Sequence, residues 1–197
     1  SKCKNFDEGV FDCSVFGNFD AIAIAGAVLT AAYEFSGDIR YMEVIVSSIK
    51  GSLGKYWLPE IDLFRHRSDN DACTWNRGNG WAMAGLTETL LLLPEEHEYY
   101  DSLMHTYLSF CNGLLKWQQP SGLWRNVITH EGSPDEVSGT NLFMFGMIQG
   151  LIHGWFDDPA PYLLAVEKAW SGVIVNQITE SKSEGNFNNT CNGTGSQ

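Results

Sequence analysis

One pattern recurs three times along the chain. The stretch GNFDAIAIAGAVLTAAYEFSG from Gly17 is echoed by RGNGWAMAGLTETLLLLP from Arg77 and by SGTNLFMFGMIQGLIHG from Ser138, at offsets of about 60 residues. Each copy opens with a Gly-Asn or Gly-Thr turn and runs into a helix of small apolar residues with no continuous polar face. Each then meets a break, at Ser36-Gly37-Asp38, Pro94 or Asp158-Pro159, and enters a second helix.

The second helices carry a different pattern. Tyr100, Leu103, Met104, Tyr107, Leu108, Cys111, Leu114 and Leu115 recur at i, i+3, i+4, i+7, i+8 and i+11, a single apolar stripe on a helix with one side in water. Tyr41, Val44, Ile45 and Ile49 repeat the spacing in the first copy. Tyr162, Val166, Ala169, Trp170 and Val173 repeat it in the third. The first helices, such as Ala21–Phe35 and Ala82–Leu93, should be buried all round. Each unit therefore reads as a hairpin of one inner and one outer helix, followed by a short aromatic loop: Ile61–Arg65, Ser121–Arg125, then Glu184–Phe187. The fold class is all-α, an α/α toroid or solenoid in a single domain over 1–197, with units at about 17–76, 77–137 and 138–197. An irregular helical bundle is the alternative.

Composition narrows the partners. Twenty-four acidic against twelve basic side chains give a net charge of −12, which argues against nucleic acid or an anionic membrane surface. No run of 18 apolar residues suggests a membrane span. The five cysteines form no C-x-x-C pair and have no histidine at zinc-finger spacing, so no metal is expected, and no nucleotide cofactor either, since Gly78 and Gly80 match no phosphate-loop spacing. Two sequons, at Asn188 and Asn192, suggest a secreted glycoprotein.

In a toroid the turns into the inner helices gather at one end, where helix N-termini present unpaired N–H groups to an anion. Asn18 and Asp20, then Trp75, Arg77, Asn79 and Trp81, then Ser138, Thr140 and Asn141 fall there, with His66 in the loop before the second unit. Four of the five arginines, Arg65, Arg67, Arg77 and Arg125, occupy these loops of an acidic chain, as a carboxylated small ligand would require. Plainer roles stay open for each group. Asp20 can be a first-turn cap, Trp75 and Trp81 core aromatics, and Arg77 a C-terminal helix cap.

The run WNRGNGWAMAGLTETLLLLP resembles the W-G-R-G-N-G-W stretch of the unsaturated rhamnogalacturonyl hydrolases, glycoside hydrolase family 105, to which family 88 is related. YEFSGDIRYM, GLLKWQQPSGLWRNV, EVSGTNLFMFGM and CNGTG are similar to that family's successive landmarks, in order. The resemblance implies an (α/α)6 barrel. It makes Asp20 the catalytic acid/base, with Asn18 where the family has Trp, and Asn76 where it has Gly. It makes His66, Trp75, Arg77 and Trp81 substrate-binding, and Asn79 and Thr140 are expected beside them. The implied substrate is an oligosaccharide ending in an unsaturated uronic acid, opened by hydration of its C4–C5 double bond. Six hairpins need on the order of 350 residues and three fit here, an incomplete ring. A different class of protein fits the same features: a non-catalytic secreted glycoprotein whose open repeats bind sugar or self-associate through exposed hairpin ends.

Overall fold

The computed structural model describes residues 20–66, 73–176, 178–180 and 185–187. Among the described residues six helices fall into three hairpins: α1 (Asp20–Ser36) with α2 (Arg40–Tyr56), α3 (Asn76–Leu92) with α4 (Tyr100–Leu115), and α5 (Val137–Ile152) with α6 (Ala160–Asn176). The inner helices α1, α3 and α5 pack side by side, each against its own outer partner, the arc of an α/α toroid.

Local chemistry sets the helix ends. Gly37 adopts a left-handed φ of 67° and returns its N–H to the Tyr33 carbonyl at 2.7 Å, closing α1. Pro94 follows the end of α3. On α4 the apolar stripe is buried at Leu103, Tyr107, Cys111 and Leu114, as its period predicts, and Phe110 beside it is buried as well. The other two outer helices turn slightly differently. The buried stripe of α2 is Met42, Ile45, Val46 and Ile49, which leaves Tyr41 exposed, and α6 buries Tyr162, Ala165, Ala169 and Val173 but exposes Trp170.

Two further expectations change. The inner helix α3 starts six residues before Ala82, and α5 starts at Val137, so Gly78, Gly80 and Gly139 lie inside helices and not in turns. All-round burial holds for α3, which is flanked on both sides, whereas α1 exposes Val28 and Phe35, and α5 exposes Ile148 and Ile152.

The helical glycines have a packing role. A Cβ on Gly80 would lie 2.8 Å from Leu142 Cδ1 and 2.9 Å from the Gly139 Cα, and one on Gly146 would overlap Met83. Both α3 and α5 thus approach closer than any larger residue allows, and Tyr107 on α4 donates its hydroxyl to the Gly146 carbonyl at 2.8 Å. Trp124 and Phe143 meet edge to face in the core above them.

The aromatic loops are small antiparallel hairpins. β1 (Trp57–Leu58) pairs with β2 (Leu63–Phe64), β3 (Trp124–Arg125) with β4 (Asp135–Glu136), and β5 (Ile178–Glu180) with β6 (Gly185–Phe187). Each follows an outer helix, and the first two lead into the next inner helix. They form a rim at the end where the inner helices begin. Asp62 turns β1 into β2 at a φ of 57° against Gly113 of α4, whose missing Cβ makes room for it.

Candidate functional site

The rim converges on the start of α3. Trp75 is extended, paired as an isolated bridge with Val127, and the helix begins at the next residue. Ile128 donates its N–H to the Thr74 carbonyl at 3.0 Å, so the loop after β3 runs beside the approach to α3. From β2 the chain passes through Arg65 to His66, whose ring meets Trp75 edge to face at 4.7 Å between centroids. Gly78 allows this arrangement: a Cβ there would sit 3.0 Å from the Trp75 ring and 3.2 Å from His66 Nδ1. The Arg77 guanidinium lies 4.9 Å from the Trp75 ring centroid, a cation–π contact.

His66, Trp75 and Arg77 are therefore one cluster. Trp75 is only 3% exposed, so it supports its neighbours and offers little face to a sugar. Trp81 is half-buried and lies one helical turn beyond Arg77 on the same side of α3. That side continues down the helix to Glu88, which borders a cleft of about 420 Å³ shared with Thr30 and Glu34 of α1 and Phe145 and Gln149 of α5. Burial holds the Glu88 carboxyl above the usual carboxylate range.

Electrostatics single out α3. Its first residue follows a Trp that makes no side-chain cap, and its first turn has no acidic residue. By contrast α5 is capped by its own carboxylate: buried Glu136 accepts from the N–H groups of Ser138 at 3.0 Å and Gly139 at 2.8 Å, and from the Ser138 hydroxyl at 2.6 Å. Among the described residues, Arg65, Arg77 and Arg125 have no carboxylate partner, whereas Arg40 pairs with Asp38 and Lys116 with Asp62. Among the described residues a carboxylate thus caps the start of α5 and none caps the start of α3.

Asn79 and Thr140 sit beside this cluster and grip backbone. Asn79 accepts from the Phe64 N–H at 2.9 Å and donates to the Phe64 carbonyl at 2.8 Å, and to the Trp75 carbonyl at 3.0 Å, which staples β2 to α3. Thr140 donates to the Glu136 carbonyl at 2.6 Å and accepts from the Trp124 N–H at 3.2 Å. Asp20 heads α1, but its side chain lies outside the described residues, as do Asn18, Arg67, Asn188 and Asn192. Sequence reasoning passed over Glu136. Glutamate is uncommon as an N-cap, and Ser138 nearby looks like the better candidate.

Among the described residues no three His, Cys, Asp or Glu side chains converge as metal ligands, and no helix is long and apolar enough to cross a membrane.

A family model described as Glycosyl Hydrolase Family 88 matches residues 18–197. An unsaturated 3S-rhamnoglycuronyl hydrolase of Alteromonas sp. (strain LOR) is 34% identical over 167 residues, covering 78% of this chain and 40% of its own length. Two solved structures share the fold. A glycoside hydrolase family 105 protein of C. acetobutylicum ATCC 824 superposes with a TM-score of 0.79 at 19% identity, over 92% of this chain and 56% of its own. The unsaturated glucuronyl hydrolase of Bacillus sp. GL1 gives 0.74 at 16% identity, over 93% and 56%. The chain thus spans about 40% of the Alteromonas relative and just over half of each structural neighbour. With the family model running over nearly the whole sequence, onto helices arranged as in these neighbours, the chain belongs to Glycosyl Hydrolase Family 88.

Proposed function

We propose that this chain supplies the uronate-binding part of a hydrolase that acts on unsaturated uronyl residues of rhamnose-containing oligosaccharides. The observation that carries the reading is the cluster at the start of α3: an Arg77 guanidinium with no carboxylate partner among the described residues, held over Trp75 beside His66, at a helix N-terminus with no acidic side-chain cap among them. A planar carboxylate is the natural ligand of such a fork, and Trp81 offers a ring face one turn away. The name of the Alteromonas relative supports the substrate class.

In this reading Asp20, at the first position of the neighbouring inner helix α1, gives its proton to C4 of the unsaturated sugar and then takes one from a water attacking C5. The resulting hemiketal opens and releases the adjoining sugar. One carboxyl serves as acid and then as base, so no glycosyl-enzyme bond is needed, and the two-carboxylate distance rule of most glycosidases does not apply. The test follows the ultraviolet absorbance of the conjugated uronate during incubation of the full chain with an unsaturated rhamnoglycuronyl or rhamnogalacturonyl disaccharide. The absorbance should fall with the native chain and persist with Asp20→Asn. An inactive native chain, or a fully active Asp20→Asn, refutes the reading.

Secretion with glycans at Asn188 and Asn192 belongs to the same proposal, supported by the two sequons and tested by the mass lost on enzymatic deglycosylation of the natural protein. Self-association through the exposed hairpin ends is supported by apolar side chains on the first and last hairpins, Phe35 of α1 at 96% and Trp170 of α6 at 59% exposure. A single monomeric species in light scattering would exclude it.

A further inference from the structure

In sequence between Trp75 and Arg77 stands Asn76, whose side chain turns away from that pair toward β3. It is fully buried. Its amide Nδ2 donates to two successive carbonyls, Trp124 and Arg125, each at 3.0 Å, and its backbone N–H donates to the third, Asn126, at 2.8 Å. Three consecutive carbonyls of β3 and its exit are thus gathered onto one residue. The amide fits there because of α5: a Cβ on Gly139 would overlap Asn76 Oδ1 and lie 2.7 Å from the Asn76 carbonyl oxygen. Gly139 is in turn fixed by the Glu136 cap, and β3 is tied to α5 through the bond from the Trp124 N–H to Thr140.

We propose that Asn76 is a positioning residue for uronate binding, a clamp that locks the Trp75–Arg77 pair to β3 and α5 so that the guanidinium is held in place before the ligand arrives. This rests on the hydrolase reading given above. A side-chain donor is what the site demands, because both partners are carbonyl oxygens. Aspartate has the same shape but would turn a carboxylate toward those oxygens, and glycine would leave them without the amide. Either change frees the first turn of α3 to move relative to the rim. The fixed Arg77 then has to be ordered when the sugar binds, which weakens ground-state and transition-state binding alike.

The test is steady-state kinetics of Asn76→Gly and Asn76→Asp in the full chain on an unsaturated rhamnoglycuronyl disaccharide. Hydrogen exchange at the Trp124 and Ile128 amides is measured alongside, since it needs no turnover. Both variants should raise KM about tenfold, with kcat within about threefold of the native value. A native KM in either variant, or a loss carried by kcat instead of KM, overturns the proposal. If the native chain leaves the disaccharide intact, the hydrolase reading fails and exchange alone decides. Faster exchange at both amides in both variants supports the clamp, and native protection refutes it.

Discussion

Replacing a helical glycine by alanine has opposite consequences at two places in this chain, and the structure sets the sign. Alanine in a helix interior is favoured over glycine by about 1 kcal/mol from backbone entropy alone. At Gly54, near the end of α2, an added Cβ meets nothing within 4 Å, so that gain is retained. At Gly80 the same Cβ lies 2.9 Å from the Gly139 Cα and 2.8 Å from Leu142, closer than real Cβ contacts allow. The Gly139 backbone cannot rotate away, so α3 and α5 must part by several tenths of an ångström. Overpacking of this kind costs about 1–3 kcal/mol. After the propensity gain, Gly80→Ala should destabilise by up to about 2 kcal/mol, and Gly54→Ala should stabilise by about 0.5–1 kcal/mol. In thermal or urea unfolding of a chain this size, each kcal/mol moves Tm by about 2–4 °C, so Gly80→Ala should melt clearly below Gly54→Ala, with Gly54→Ala above the native protein. A Gly80→Ala variant stabilised as much as Gly54→Ala would show that close helix approach is not what the glycine provides. Destabilisation by Gly54→Ala would undermine the propensity side of the argument.

Three further outcomes follow from single side chains. Asn79→Ala removes three buried hydrogen bonds to Phe64 and Trp75 and should cost about 3 kcal/mol in urea unfolding. Asn79→Asp should be worse, because it sets a carboxylate oxygen against the Phe64 carbonyl; a milder Asp variant would refute the staple. Glu88 has a folded pKa raised by burial, so its contribution favours the fold at acidic pH, below the unfolded carboxylate value, and is lost as pH rises through the folded one. Glu88→Gln should therefore be more stable than the native chain at pH 7 and equal to it in acid, and a uniform offset across pH would contradict this. Burial pushes the Cys111 thiol up to about 12, so it should resist an alkylating reagent at pH 8 until the chain unfolds. Labelling of Cys111 in the native state, read by peptide mass, would count against that burial.

The helical hairpins were legible because hydrophobic period is a local property. The buried positions of α4 are nearly those its spacing picks out, and Pro94 and Gly37 mark helix ends as their chemistry requires. What the period could not supply was the neighbour. Trp170 and Tyr41 sit at apolar spacings, yet they are exposed because the packed sector of α6 and α2 is displaced by about one residue around the helix. The start of α3 was read too late for a related reason. Gly78, Asn79 and Gly80 carry turn-forming chemistry, but here glycine provides space for His66, Trp75 and α5, and asparagine provides a peptide-like edge for Phe64, a residue 15 positions away. A requirement of that kind is visible only once the two segments are side by side.

The charged part of the site followed the opposite course. Arginine is scarce in this acidic chain, and its concentration in the inter-hairpin loops could be seen without any coordinates. Which helix start the arginines serve could not. Two inner helices begin at the same rim, with similar Gly-bearing segments, and only contacts distinguish them. The Glu136 carboxylate occupies the start of α5 and caps its first N–H groups, whereas the start of α3 is held by the Asn126 carbonyl, which accepts the Asn76 N–H, and by the Asn76 amide, which donates to the Trp124 and Arg125 carbonyls, neutral groups that anchor the backbone and add no net charge. Among the described residues no carboxylate therefore compensates the positive end of α3, with Arg77 one residue inside it. A buried glutamate on one helix and a neutral amide on its neighbour thus distinguish the two helix starts along the rim, and on that difference rests the proposal that a sugar carboxylate binds at α3.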